Sequence, residues 1–223
     1  MPTLTTSLNR EYAARFLGVA ALLMAFAGWF LYDGLIGYPA ENDRVAPVAE
    51  RLAAEERTAA EWMNTQQTGV APLVEAFQQA GVKPPAKITD TFNSWISIND
   101  PEKDSVEAAQ RVLRTPPHSA DSITTQFISA AISALAGLAL IFLVLLRWKT
   151  RITLDDDTLT VTTFGYTARH ALADLKSVDD AQWEKRGILR LTFPSGTVTL
   201  DAWHHTGVRP LAERLLPKKP NQA

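Results

Sequence analysis

Two stretches of the chain are apolar without the interruptions of an amphipathic element. Residues 16–32 read FLGVAALLMAFAGWFLY with no charge, and residues 123–146 read ITTQFISAAISALAGLALIFLVLL, 24 residues also without charge. At 1.5 Å per residue the second stretch spans about 36 Å, more than the roughly 30 Å hydrocarbon core of a bilayer. Both are expected to be transmembrane helices. The first extends back to residue 13, with Arg15 snorkelling to the head groups. Trp29 and Tyr32 anchor it at one interface, and Arg147, Trp148 and Lys149 anchor the end of the second. The first block also resembles the core of a signal peptide, with Arg10 and Arg15 before it and Ala25-Phe26-Ala27 as a cleavage site. The apolar run continues past that site, so an uncleaved span is the simpler expectation.

Between the spans the apolar positions recur every three to four residues. Val48, Leu52, Ala59, Trp62 and Met63 predict one helix, opened by Asn42 or Asp43 with Pro47 in its first turn and broken or kinked at Gly69 and Pro72. Leu73, Val74 and Phe77 start a short turn ending near Gly81, and Pro84-Pro85 reads as a linker. Phe92, Trp95 and Ile96 are expected to pack on the first helix. Asp100-Pro101 opens a third amphipathic helix with Val106, Ala109, Val112 and Leu113 on one side, stopped by Pro116-Pro117. The expectation is a helical cap of two or three helices, too thin to hold a large core alone.

Past residue 150 the period falls to two. Ile152 and Leu154 alternate, as do Leu159 and Val161, Leu189, Leu191 and Phe193, and Val198 and Leu200. Asp155-Asp156-Asp157 and Pro194-Ser195-Gly196 supply turn chemistry, and Gly165 and Gly187 mark further turns or bulges. Val208, Leu211 and Leu215 form one face of a final short helix, with Pro210 near its start. About six short antiparallel strands and one helix predict a curved sheet whose open end the helix covers.

Composition narrows the function classes. The chain has 223 residues, 46% hydrophobic and 21% charged, with a net charge of −2. Wholesale disorder and a fully membrane-buried transporter are excluded, and overall charge gives no case for nucleic-acid binding. With no cysteine, disulfide scaffolds, thiolate metal sites and cysteine nucleophiles are excluded too. Two arginines precede the first span, and Arg147, Lys149 and Arg151 follow the second. Residues 33–124 carry 8 basic against 14 acidic side chains, but that loop is too long for its charge to orient the chain. The juxtamembrane clusters place both termini in the cytoplasm.

The strand pattern ITLDDDTLTV, the stretch ALADLKSVDDAQWEKRGILRLTF, LDAW and the terminal helix resemble the bacterial pleckstrin-homology-like domains of membrane proteins. The whole chain resembles an uncharacterised bacterial family of two-span membrane proteins with such a tail, through Tyr32-Asp33-Gly34, Gly37-Tyr38-Pro39, Asn42, Gln126-Phe127 and residues 183–187. Arg186-Gly187 stands where Lys-Gly is the family's expected pair. The resemblance implies an α+β membrane protein of the bacterial inner membrane and carries over no catalytic residue. Its expected parts are a cytoplasmic N-terminus (1–12), a first span (13–32), an extracytoplasmic helical domain (33–122) and a second span (123–147). A cytoplasmic pleckstrin-homology-like β domain (148–217) and a tail (218–223) follow.

The search for chemistry nominates no catalytic, cofactor-binding or metal-ligating residue. His204-His205 beside Asp201 is the most metal-like cluster, but neighbouring strand residues face opposite ways, so exposed polar residues are expected there. His118 and His170 are expected to be isolated. The three aspartates lack the spacing of a calcium loop, and Ser195 lacks a G-x-S-x-G elbow and an identifiable base. No Walker A, G-x-G-x-x-G or H-E-x-x-H pattern occurs. The aspartates between the first two strands would also repel a phosphoinositide head group, while Arg169, Lys176, Lys185, Arg186 and Arg190 are expected to solvate the outer sheet face.

A stripe of small residues marks the second span. Ser129, Ser133 and Gly137 recur every four residues, with Ala130 and Ala134 alongside. Its partner is either the first span, through Ala14 and Gly18 or Ala21 and Ala25, or a second copy of the chain. The expected function is a non-enzymatic membrane scaffold that binds a protein or peptide with its cytoplasmic domain. An envelope or lipid sensor with a helical cap is the alternative.

Overall fold

The computed structural model describes residues 3–64 and 70–216. Gly69, expected as a helix breaker, and the 218–223 tail lie outside the described residues. The chain is α+β, with antiparallel sheets and two helices long and apolar enough to cross a membrane. These are α1 (Arg10–Tyr32) and α7 (Ala120–Trp148). Only 11% and 17% of their most apolar windows are buried inside the protein, far less than the core helix of a water-soluble protein would show. The chain divides into two compact units, Met1–Ala25 with Ser133–Ala223, and Phe26–Ile132.

The first unit holds the β structure. Strands β1 (Leu4–Thr5) and β2 (Ser7–Leu8) precede α1, and β3 (Arg151–Leu154), β4 (Thr158–Thr163) and β5 (Tyr166–Ala171) follow α7. Then come β6 (Ser177–Asp179), β7 (Ile188–Phe193), β8 (Gly196–Asp201) and β9 (His205–Thr206). They make three antiparallel sheets, ordered β1-β3-β4-β5, β6-β7-β8 and β2-β9. The final helix, here α9 (Val208–Leu215), places Val208, Leu211 and Ala212 in one core with Ile152, Leu154, Leu159, Leu189, Leu191 and Leu200. Those strand residues are the inward half of the alternation read from the sequence.

Residues 4–8, expected as part of a leading segment, are instead strands of this β structure. Thr6 is buried between them. Its N–H donates to the Ile152 carbonyl at 2.9 Å, and its hydroxyl accepts from the Ile152 N–H at 3.0 Å. Gly207 lets this segment dock. Its φ is +81°, and a Cβ there would lie 2.8 Å from the Thr5 carbonyl oxygen. Asn9 then caps α1, its side chain accepting from the Glu11 N–H while its own N–H donates to the His204 carbonyl. Tyr12 is buried against Phe16, Trp203 and His204. Cleavage after Ala27 would strip all of these groups from the unit.

The small-residue stripe of α7 is used within the chain. Ala130 and Gly137 are buried, and Ser129, Ser133 and Ala134 are half-buried. A Cβ at Gly137 would meet Met24 Sδ at 3.1 Å and the Ala20 carbonyl at 3.3 Å. The α1 face in this contact is therefore that of Ala20 and Met24. Ala14, Gly18, Ala21 and Ala25, the pairs read from the sequence, are exposed.

The second unit is an all-helical body built by α2 (Tyr38–Ala53), α3 (Ala59–Met63), α4 (Pro72–Gln79), α5 (Ala86–Ser97) and α6 (Val106–Leu113). Several expected boundaries move. Helix runs unbroken from Arg10 to Ala53 through a π-helical turn, Asp33–Gly37, so Asn42 caps nothing and Pro47 sits inside α2. The Pro39 ring would clash with the carbonyl four residues back in a regular helix, and the wider π turn accommodates it. The single helix expected over Val48–Met63 positions is split by Glu55-Glu56-Arg57, where Glu56 has φ +52° and Thr58 forms a capping box with Glu61. Ser105, not Asp100, caps α6. The body is not too thin for a core: Trp62, Leu73, Phe77, Ile88, Phe92 and Leu113 are fully buried together.

Replacing Thr6 with valine is expected to destabilise the β unit by about 1–3 kcal/mol, since the buried Ile152 N–H loses its acceptor. Hydrogen exchange of the full chain in detergent measures it: amide protection of β3 falls in Thr6→Val and much less in Thr6→Ser.

Candidate functional site

Sheet closure in the β unit is incomplete. Strand β5 pairs with β4 on one side, and β8 pairs with β7 on one side, and among the described residues no strand pairs with the other edge of either. Between these two edges lies a groove of about 710 Å³. Thr167 and Arg169 of β5 and Thr197 and Thr199 of β8 line its walls. Ile152, Val161 and His205 contribute from deeper in the unit, and Arg147 and Thr150 from the end of α7. Among the described residues no aspartate or glutamate lines it.

Phe193 and the Pro194-Ser195 turn meet β5 at one end of the groove. His170 Nδ1 lies 2.8 Å from Ser195 Oγ, and its ring stacks on Phe193 with centroids 4.7 Å apart. His170 is therefore not isolated, and Ser195 has the basic partner that the sequence left unidentified. The pair joins the β5 and β7–β8 hairpins across 25 residues, a spacing without a recognisable motif.

The two adjacent histidines differ from the exposed pair expected. His204 Nδ1 lies 2.9 Å from Asp201 Oδ2, while His205 is buried and its Nε2 has no hydrogen-bond partner. Burial holds both imidazoles below their ordinary pKa. For His204 the Asp201 carboxylate opposes that shift and the Arg147 charge adds to it. For His205 the Arg147 carbonyl opposes it, while the Arg147 charge and His204 reinforce it. No group of three or more His, Asp or Glu side chains able to hold a metal occurs among the described residues.

A second cavity of about 670 Å³ lies beside α9, lined by Trp183, Lys185, Arg186, Trp203, Arg209 and Glu213. The basic residues read as one outer face are thus divided. Arg169 belongs to the first groove, Lys185 and Arg186 belong to the second cavity, and Arg190 lies 3.9 Å from Asp179. Asp156 pairs with Arg214, and Asp155 accepts from the Thr3 hydroxyl, so the aspartate turn is engaged within the unit. Trp29, Tyr32 and Trp148, expected as interface anchors, are strongly exposed. Arg15 pairs with Glu11 and stands over the Trp203 ring, and Lys149 is exposed.

The helical unit has its own polar cluster, built from Tyr38, Glu41, Asn42, His118 and Gln126. The Asn42 side chain donates to the His118 carbonyl at 2.9 Å and accepts from the His118 N–H at 3.0 Å. The His118 ring stacks on Tyr38 at 3.7 Å, with Nε2 3.0 Å from Glu41 Oε2. Gln126 donates to the Tyr38 hydroxyl, leaving its own Oε1 buried without a partner. Gly34 in the π turn admits the Phe127 ring, which a Cβ would meet at 3.2 Å. His118, expected to be isolated, is the centre of this cluster.

Comparison of the chain with protein-family models, with curated proteins and with solved structures gives no match.

The histidine pair predicts a pH response of definite sign. A lowered folded pKa means that the unfolded chain binds more protons, so stability is complete above the ordinary histidine pKa of about 6.5 and falls as pH drops toward the folded values. Thermal unfolding of the full chain, followed by tryptophan fluorescence in detergent, should shift to lower temperature between pH 7.5 and 5.5. His205→Phe should flatten that dependence, and an unchanged slope would contradict it.

Proposed function

We propose that the protein is a membrane-anchored, non-enzymatic scaffold whose β unit, of pleckstrin-homology-like architecture, binds a protein or peptide. The observation that carries this reading is the pairing of β1 and β2, which precede the first apolar helix, with β3 and β9, which follow the second. Strands before and after a pair of spans can share a sheet only if an even number of crossings separates them. The basic residues Arg10, Arg15, Arg147, Lys149 and Arg151 favour the cytoplasm for that shared unit. Residues 33–122 then face the other side of a bacterial inner membrane.

Adaptor function is supported by the two cavities of the β unit, one flanked by open strand edges and one beside α9. Chain-internal packing of Gly137 on Ala20 and Met24 already occupies part of the small-residue stripe, which leaves a protein partner the better supported of the two partner classes. The sensor alternative draws on the Tyr38, Glu41, Asn42, His118 and Gln126 cluster, which joins the start of α2 to the segment entering α7. A ligand acting on the helical body would reach the second span through those contacts.

Purification after in-cell cross-linking tests the scaffold. The full chain is expected to sediment with membranes, to leave them only with detergent, and to carry a near-stoichiometric protein partner that is lost when residues 151–216 are deleted. Recovery of the chain alone would contradict the proposal.

A further inference from the structure

We propose that the groove between β5 and β8 binds an acidic peptide in extended conformation, adding it as a strand to the open edges. This rests on the adaptor reading above and gives the partner its chemistry. Along each edge, alternate residues turn their N–H and C=O groups away from the strand already paired. No backbone hydrogen bond joins β5 to β8 among the described residues. Each edge is six residues long, about 20 Å, which matches a peptide strand of ordinary length.

Charge and burial select the peptide. Arg147 and Arg169 line the groove, no carboxylate does, and neither arginine enters an ion pair among the described residues. His205, only 3% exposed, lines the same groove with Nε2 unpartnered. A buried nitrogen without a partner is costly; with the other ring nitrogen on the Arg147 carbonyl, neutral His205 offers Nε2 as an acceptor, which a hydroxyl or N–H of an incoming peptide would satisfy. The hydroxyls of Thr163, Thr167, Thr197 and Thr199 add further groups that hydrogen-bond an anionic side chain.

Other occupants fit less well. The chain's own end, PKKPNQA, carries two lysines and two prolines, so it meets like charge and offers poor strand pairing. A lipid phosphate would engage the arginines but make no use of two rows of strand backbone. A basic peptide would be repelled.

The test measures binding of fluorescein-labelled TEVEVT to the full chain in detergent by anisotropy. The controls are the lysine counterpart TKVKVT, the proline-interrupted TEPEVT, and vesicles containing phosphatidylglycerol. The expected result is saturable binding of TEVEVT, at least tenfold weaker with Arg169→Glu and weakened in the same direction by the milder Arg169→Gln. Binding of TKVKVT and TEPEVT should be at least tenfold weaker still, and Arg209→Glu, at the cavity beside α9, should leave TEVEVT binding unchanged. Absence of TEVEVT binding at millimolar concentration, or equal binding of TEPEVT, would overturn the proposal. Arg169-dependent binding of the vesicles without peptide binding would overturn it in favour of lipid. Peptide binding that Arg209→Glu abolishes and Arg169→Glu spares would overturn this groove while leaving the adaptor function standing. Loss of the adaptor function itself is read separately, from a cross-linked chain that carries no partner.

Discussion

Thr6 and Ile152 are 146 residues apart in sequence, and the exchange of hydrogen bonds between them holds the β unit to both ends of the helix pair. Two-residue strands such as β1 and β2 have too few bonds to form alone. They form here because other contacts bring the segments together first. Ala20 and Met24 of α1 lie against Gly137 of α7, which reduces the closure entropy of so long a loop to that of a short one. Asn9, Tyr12 and Gly207 then fix the entry of α1 against the 203–207 segment. An apolar helix pair and a β unit thus stabilise one another through a handful of polar contacts.

The same arrangement explains where the β unit is left open. Residues 4–8 satisfy one edge of β3 and the β9 segment, and α9 covers one end of the core. Among the described residues no strand pairs with the outer edges of β5 and β8, and His170 meets Ser195 at one end of the groove. Exposed edges invite pairing with another chain, and proteins generally blunt them. Here the edges carry arginine and threonine around the buried His205, whose Nε2 has no hydrogen-bond partner.

What could be seen in the sequence follows from the length of each pattern. Twenty-four uncharged residues, or five alternating strand residues such as 189–193, repeat often enough to stand out, and the apolar helices and β7 lie where that repetition ends. Leu4-Thr5 and Ser7-Leu8 hold one alternation each, so their pairing was invisible until the partner strands were in place. Pro39 and Pro47 signal a helix start by local rules, yet the π turn and the surrounding packing carry helix through both. The candidate sites were less legible still. Asn42 meets His118 across 76 residues, and the groove draws Arg147, Arg169, Ser195 and His205 from separate elements. Each of these looks ordinary at its own position, and only the topology assembles them.

Because the chain contains no cysteine, the closure of its two ends can be measured without background. Thr5 and Thr153 are opposite one another in the β1–β3 register, next to the hydrogen-bonded Thr6 and Ile152, which places them at a non-hydrogen-bonded position suited to a disulfide. A Thr5→Cys, Thr153→Cys double variant, oxidised in isolated membranes, is predicted to form a disulfide within each chain that changes its mobility on a denaturing gel. Cysteines that stay reduced, or that link only different chains, would contradict the account.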